Sequence, residues 1–341
     1  MMERVKMASI PVLKLSLLDG DRNDKDKFIG LLKEAAHDVG FFYLSDHGVS
    51  ASFLAEVREQ TRKFFFLSEE QKRSVSMINS PHFRGYNRAG NELTNGKADW
   101  REQFDIGAER KPYNLTDKDP IWMGLHGFNQ WPESLPELKH TLLFYNNILT
   151  SISLRLLRSL ASGLGLPENA FDTIYGDTPN EHIKLIRYPR CKKITETQGV
   201  GAHKDSGLLT LILQDENKGL QVKTNDNKWV DVSPLDNTFV VNLGELLELA
   251  TNGYLKATVH RVLAPAGEND RISVAYFLGA SLDSVVPVFK LPEELTSDAS
   301  FIETDPNNPL LRDVGLNYMK GRLRSHPDVA KKYYGEWGNF L

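Results

Sequence analysis

The spacing of apolar positions divides the chain into an early part with helical period and a later part with strand period. Ile10 to Leu15 reads as a short first strand. From Lys25 to Val39, the residues Phe28, Leu31, Leu32, Ala35 and Val39 recur three or four apart and form one helix face, with Gly40 as a suitable stop. Phe41 to Leu44 is a second strand, followed by a helix over 51–66. Ser68-Glu69-Glu70-Gln71 has the form of a capping box and should open a further helical turn. Residues 80–99 read as an ordered loop turned toward the functional site. Leu142, Tyr145, Leu149, Ile152, Leu156 and Leu160 mark one side of a long helix over 138–160, suited to backing a sheet. Strand patterns dominate from about 182 to 278, interrupted by a helical piece at Glu245 to Ala250. A last helix is expected around Leu310 to Arg324.

The expected fold is α+β and mainly β: a double-stranded β-helix (jelly roll) core with an N-terminal α/β extension and C-terminal helices. The expected division is 8–125, 126–178, 179–282 and 283–341: an N-terminal region, backing helices, the jelly-roll core and a helical tail.

Composition narrows the function. A chain of 341 residues with 40% hydrophobic content can bury a large core, and its formal net charge of −4, with Lys and Arg dispersed, argues against a nucleic-acid partner. The N-terminus has no apolar core of signal-peptide length, and no segment approaches the ~18 apolar residues of a membrane span. The single cysteine, Cys191, cannot close an intramolecular disulfide, which suits a reducing compartment. A cytoplasmic enzyme acting on a small molecule is expected. Oligomeric state is left open.

The candidate chemistry lies in two segments. His203-Lys204-Asp205 sits in GAHKDSGLLTLILQD and His260 in KATVHRVLAP. Two imidazoles and one carboxylate, with remaining positions open, suit non-haem Fe(II) and oxygen chemistry. His-x-Asp alone is weak, because His326-Pro327-Asp328 repeats it with no later His to complete a site. That copy reads as a surface helix end or turn. His37, His126, His140 and His182 have no partner at ligand spacing and read as surface or packing residues. Around the stronger pair the context is ordered: Leu208 to Leu213 is an apolar run, and Pro265, Gly267 and Asn269 mark a turn before a strand over Arg271 to Leu278. A hairpin there would lay Arg271 and Ser273 beside the His260 strand. Those two residues are i and i+2, so on a strand they share a face, where a guanidinium fork and a hydroxyl could hold a small carboxylate. Together these features imply an oxygenase that consumes an oxo-acid.

These segments resemble the Fe(II)/2-oxoglutarate-dependent dioxygenases of the isopenicillin N synthase-like family. The matching pieces are DVGFFYLSDHGV from Asp38 to Val49, Arg84-Gly85-Tyr86, Tyr188-Pro189-Arg190-Cys191, His203-x-Asp205, Gly219-Leu220-Gln221-Val222, Asn252-Gly253, His260-Arg261-Val262 and Arg271-x-Ser273, in family order. The resemblance implies that His203, Asp205 and His260 bind Fe(II) and that Arg271 and Ser273 hold the distal carboxylate of 2-oxoglutarate, with Tyr188 in support. It further implies consumption of O₂, release of succinate and CO₂, and support by ascorbate. The family often has Asn two residues before the Tyr; here that position is Ile186, and Lys184 on the same strand face either supplies charge instead or is a surface lysine.

Gly85-Tyr86, Gly90 to Thr94, Gly96 to Asp99 and Arg324 to Asp328 are similar to the ethylene-forming enzyme and arginine/homoarginine hydroxylase branch. That implies Glu92 and Thr94 for a guanidinium and Arg324 for a carboxylate of the substrate, although Ser325 and His326 depart from the branch's pattern. A basic amino acid or guanidino compound is the expected substrate. The competing expectation is an apolar or aromatic substrate against Phe83, Tyr86 and Phe277. Two alternatives stand beside the dioxygenase reading: an oxidase with the same triad that needs no 2-oxoglutarate, and a non-catalytic metal-binding jelly roll.

Overall fold

The computed structural model describes residues 10–116, 118–191, 198–265, 268–297, 299, 302 and 308–335. The front of the chain runs β1 (Val12–Lys14), α1 (Arg22–Asp38), β2 (Phe41–Ser45), α2 (Ala51–Phe65), α3 (Glu69–Ser74), β3 (Gly85–Asn87), β4 (Leu93–Thr94), β5 (Lys97–Ala98) and β6 (Glu102–Gly107). Then come α4 (Pro136–Gly163), α5 (Asp172–Tyr175), β7 (Asn180–Tyr188), β8 (Gln198–His203), β9 (Leu209–Gln214), β10 (Leu220–Lys223) and β11 (Trp229–Asp231). The chain closes with β12 (Phe239–Leu243), α6 (Glu245–Ala250), β13 (His260–Leu263), β14 (Arg271–Gly279), α7 (Glu293–Thr296), α8 (Val314–Ser325) and α9 (Pro327–Tyr333).

Local signals explain most ends. Asp21 caps α1 by accepting from the Asp24 amide, and Gly40 stands just past the helix end at φ +70. Ser68 and Gln71 form the complete reciprocal capping box of α3.

Two sheets face one another as a double-stranded β-helix. The larger has eight strands in the order β1-β2-β12-β9-β14-β7-β6-β3, and the smaller four in the order β11-β10-β13-β8. Strand alternation sorts the large sheet's side chains. Leu185, Leu211, Val241, Val274 and Tyr276 point outward into the main core, which α1, α2 and α4 cover. Tyr188, Ile212, Val240 and Ala275 point inward, into a second cluster shared with Val200, Val222 and Val262 of the small sheet. On α4, Leu138, Leu142, Leu149 and Leu156 are fully buried, each contributing roughly 1.5–3 kcal/mol of transfer free energy. Among the described residues no helix is long and apolar enough to cross a membrane.

The expected hairpin pairing the His260 strand with the Arg271 strand does not form. His260 and Arg271 do not lie on paired strands: β13 pairs with β8 and β10, whereas β14 pairs with β7 and β9. The connection between them crosses from one sheet to the other, and Gly267 of the expected turn lies outside the described residues. The backbone bonds available in each sheet decide this, and turn residues read the same either way.

Candidate functional site

The triad is assembled at one end of the small sheet. His203 ends β8 and His260 begins β13, and the two are register partners across that ladder. Their rings lie 4.3 Å apart between centroids. Asp205 follows β8 by two residues and returns beneath them. One ligand atom from each of the three falls within 4.8 Å of the others, the single such His/Cys/Asp/Glu group among the described residues.

Hydrogen bonding shows which atoms are committed. His203 Nδ1 lies 2.8 Å from the Gly201 carbonyl and His260 Nδ1 lies 3.1 Å from the Thr258 carbonyl. A carbonyl can only accept, so both Nδ1 atoms carry the proton and each Nε2 keeps its lone pair. Asp205 Oδ2 accepts from Thr210 Oγ1 at 2.6 Å and Asn242 Nδ2 at 2.8 Å. Its Oδ1 instead faces the two Nε2 atoms at 3.5 and 3.7 Å. Burial opposes ionisation of Asp205, but His260, His203 and Asn242 outweigh it and hold the carboxyl well below its usual range. Burial and the neighbouring His203 lower His260 to about 4. Burial would lower His203 too, yet Asp205 leaves it raised. A buried, ionised carboxylate beside two neutral imidazole nitrogens is a donor set that fits a divalent ion such as Fe(II).

The loop bearing Asp205 is seated on the start of α6. The Glu245 amide donates to the Asp205 carbonyl at 2.7 Å, and the Gly244 amide to the Leu208 carbonyl at 2.9 Å. A Cβ on Gly244 would stand 2.1 Å from the Gly207 oxygen, so only glycine permits this approach.

Arg271 lies inside the barrel, 1% exposed. Its Nη2 donates to Gln214 Oε1 at 2.8 Å and its Nη1 to Ser273 Oγ at 3.3 Å, and its guanidinium sits 5.1 Å from the ring of Tyr188, its register partner on β7. Nε has no hydrogen-bond partner, and among the described residues no carboxylate pairs with this cation. A buried guanidinium held only by neutral groups calls for an anion from outside the chain. Ile186 lies opposite Ser273 and belongs to the interior apolar cluster.

A cavity of about 480 Å³ opens beside the triad. Its walls include His203, Asp205, Glu92, Thr94, Phe277 and Arg324, so the expected substrate residues share one cavity with two members of the triad. Glu92 and Thr94 arrive on or beside the β4–β5 hairpin, whose turn uses Asn95 and Gly96 at φ +50 and +75. Asn95 Nδ2 donates to the Ala202 carbonyl at 3.0 Å, and Asp99 accepts from Gln198 Nε2 at 2.9 Å, which docks the hairpin against β8. A larger cleft of about 700 Å³, lined by Arg110, Tyr113, Trp122 and His126 among others, lies elsewhere and contains none of the candidate residues.

Other expectations change. Phe83 and Tyr86 do not line the cavity: Phe83 stacks on Tyr334 and the Tyr86 hydroxyl donates to Glu102. Glu92 is no surface charge but meets Arg101 at 2.6 Å and Lys184 at 3.0 Å. Burial opposes its ionisation, and Arg101, Lys184 and His326 prevail to keep it ionised. Lys184 is buried and supports Glu92; it is neither a surface lysine nor a partner of the Arg271 group. His326, expected at the surface, is wholly buried 3.6 Å from Glu92, because the α8–α9 corner folds over the hairpin loop. His182 is buried and bonded to Asp105 at 2.7 Å. Thr210, Gln214, Asn242, Arg101 and Asp105 carry no motif or ligand spacing in the sequence. Only strand parity could have suggested the inward-facing Thr210, Gln214 and Asn242, once the strands were paired.

Comparison with known proteins identifies the family. Residues 179–280 match the 2OG-Fe(II) oxygenase superfamily, and residues 10–134 the family described as non-haem dioxygenase in morphine synthesis N-terminal. The chain is 34% identical to a 2-oxoglutarate-dependent dioxygenase, frbJ, of Dothideomycetidae sp. (strain 11243), over 95% of this chain and 92% of the relative. It is 35% identical to homoarginine-6-hydroxylase 2-ODD-C23.1 of Arabidopsis thaliana over 82% of this chain and 86% of that protein. Among solved structures, a full-length Neurospora crassa protein in complex with alpha-KG and thymine superposes with a TM-score of 0.73 at 27% identity, covering 91% of this chain and 97% of that one.

Proposed function

Since the chain belongs to the Fe(II)- and 2-oxoglutarate-dependent oxygenases of the isopenicillin N synthase-like class, we propose that His203, Asp205 and His260 hold its iron, Arg271 and Ser273 the far carboxylate of 2-oxoglutarate, and the adjoining cavity a basic amino acid or guanidino compound. The protein is an oxidoreductase that uses Fe(II), 2-oxoglutarate and O₂ on a small molecule, with ascorbate in support. The superfamily match and the 2-oxoglutarate-dependent relatives support the dioxygenase reading over the oxidase and non-catalytic alternatives, although proteins named 1-aminocyclopropane-1-carboxylate oxidase also stand among the relatives, at 27% identity. Held by these residues, Fe(II) would supply oxidation of a substrate C–H bond, with one oxygen atom of O₂ ending in succinate as 2-oxoglutarate loses CO₂ and the other in the oxidised product or in water.

The chain's own part is positioning. Carbonyls of Gly201 and Thr258 fix the imidazole tautomers, and Thr210 and Asn242 aim the Asp205 carboxylate. Tyr188 and Gln214 hold the Arg271 fork in the barrel interior, where water is excluded and an ion pair is strong. The observation that supports the assignment best is the pair of uncommitted Nε2 atoms facing the uncommitted Asp205 oxygen.

The basic-substrate reading rests on Glu92, Thr94 and Arg324 around one cavity, together with the homoarginine-6-hydroxylases among the relatives. Arg324 can receive an α-carboxylate, with Glu92 and Thr94 at the other end. Succinate release should be stimulated by homoarginine, arginine or lysine and not by flat aromatic acids. Stimulation by the aromatic group alone would overturn the substrate assignment. Asp205→Ala should abolish turnover and weaken iron binding while leaving the chain folded; wild-type turnover in that variant would refute the metal assignment.

A further inference from the structure

We infer that Lys184 is a displaceable occupant of the cation seat at Glu92, and that through it the site selects a guanidino group over a simple ammonium. The inference rests on the basic-substrate reading above. Lys184 Nζ lies 3.0 and 3.3 Å from the two Glu92 oxygens, where a substrate cation would have to bind. Arg101 also meets Glu92, at 2.6 Å, but Asp99 holds the same Nη2 at 3.2 Å, so Arg101 is anchored. Lys184 has an alternative berth. Asp105 is its direct partner across the β6–β7 ladder, with Oδ1 3.4 Å from Nζ, and Gln103 Oε1 lies 3.2 Å away.

Asp105 is unevenly used. Its Oδ1 already meets His182 at 2.7 Å, Arg322 at 3.2 Å and Lys184 at 3.4 Å, whereas its Oδ2 is buried with no hydrogen-bond partner. Buried carboxylate oxygens are nearly always paired. Lys184 Nζ already stands 3.4 Å from Oδ1 of a carboxylate whose second oxygen is unused, so Asp105 is a place for that donor to move to. When a substrate cation takes Glu92, Lys184 swings to Asp105, and every buried charge stays paired before and after.

The exchange carries selectivity. A substrate ammonium would give Glu92 the same compact charge that Lys184 already gives, so it gains little by displacing it. A guanidinium brings a planar fork for the carboxylate and N–H groups to spare. The Thr94 hydroxyl donates to Asp99 Oδ2 at 2.7 Å, which leaves its oxygen able to accept one of those N–H groups at the cavity wall.

The test measures succinate release with arginine, homoarginine, lysine and ornithine for the wild type, Lys184→Met and Lys184→Arg, with Fe(II)-dependent 2-oxoglutarate binding by calorimetry as the check on folding. The wild type should favour the guanidino compounds. Lys184→Met should lower the homoarginine KM and raise kcat/KM for lysine by about tenfold, the scale of one lost charged competitor. Lys184→Arg keeps the charge but holds Glu92 with its own fork, and should raise the homoarginine KM about tenfold with kcat little changed. A guanidino-to-ammonium ratio unchanged in both variants, with the wild type active on homoarginine, overturns the inference and leaves the basic-substrate reading intact. Failure of all three proteins to respond to any of the four compounds overturns both.

Discussion

Asp205 turns one carboxylate oxygen to Thr210 and Asn242 and the other to the two imidazoles, so the residues behind it set its aim. Asn242→Ala removes one of those two donors from a fully buried position. Loss of such a supporting hydrogen bond should weaken Fe(II) binding by about 10- to 100-fold. Metal titration checks this, and an unchanged affinity would mean Thr210 alone suffices. Arg271 has the complementary condition, a buried charge with neutral neighbours. Arg271→Ala should weaken 2-oxoglutarate binding by about a hundredfold or more, the few kcal/mol lost with one partner of a buried charge pair. Calorimetry showing no change would place the clamp elsewhere.

Two elements hold the site in register, and each depends on a glycine for a different reason. In the β4–β5 hairpin, Gly96 has open space around its Cβ position, so its requirement is the backbone conformation at φ +75. Gly96→Val should strain the turn by about 1–2 kcal/mol. The expected result is a several-fold rise in KM for the primary substrate with 2-oxoglutarate affinity retained, because the residues proposed for the clamp, Arg271 and Ser273, lie on β14. At the start of α6 the requirement is space, since a side chain on Gly244 would meet the backbone oxygen of Gly207. Gly244→Ala should therefore displace the Asp205 loop. Iron affinity and Tm should fall together in that variant, and wild-type values for both would show that the loop can yield.

Across the whole molecule, the tail and the barrel share one buried charge cluster, and it makes stability depend on pH. Burial first, then the Arg322 cation, lowers His182 to about 3; burial and then the nearby Lys184 and Arg322 lower His326 to about 4 against the pull of Glu92. Their ordinary value is 6.5, so between that pH and about 4 the unfolded chain binds more protons than the folded one. Their contribution to stability therefore rises with pH across this window and is fully present above it, opposed in part by Glu245, which burial raises to about 7 and whose contribution falls as pH rises through the same range. Glu92 and Asp105, both held below the usual carboxylate range by their cations, add to the loss as pH falls further. Tm should be level above about pH 6.5 and decline steadily toward pH 4. His326→Gln should flatten the upper part of that decline, and an unaltered profile would show that His326 does not titrate on unfolding.

Features that depend on near neighbours in the chain were legible before any folding was considered. The stripe on α4, the capping box at Ser68 and the short helix Glu245–Ala250 follow from local period and local hydrogen bonding. His203 with Asp205, and Arg271 with Ser273, could be read because residues two apart have a definite spatial relation in or beside a strand. The environment of lone polar residues came only with the folded chain. His326 looked like a surface helix end or turn and is wholly buried; Lys184 read equally as a charge for the cosubstrate or a surface lysine, and it bridges Glu92 and Asp105. Asn242, Thr210 and Asp105 have no spacing signature, since their partners are distant in the chain and are chosen by sheet pairing. The crossing from β13 to β14 was hidden for the same reason. A turn codes only for a reversal, whereas the sheet each strand joins is settled by backbone hydrogen bonds to segments elsewhere in the chain.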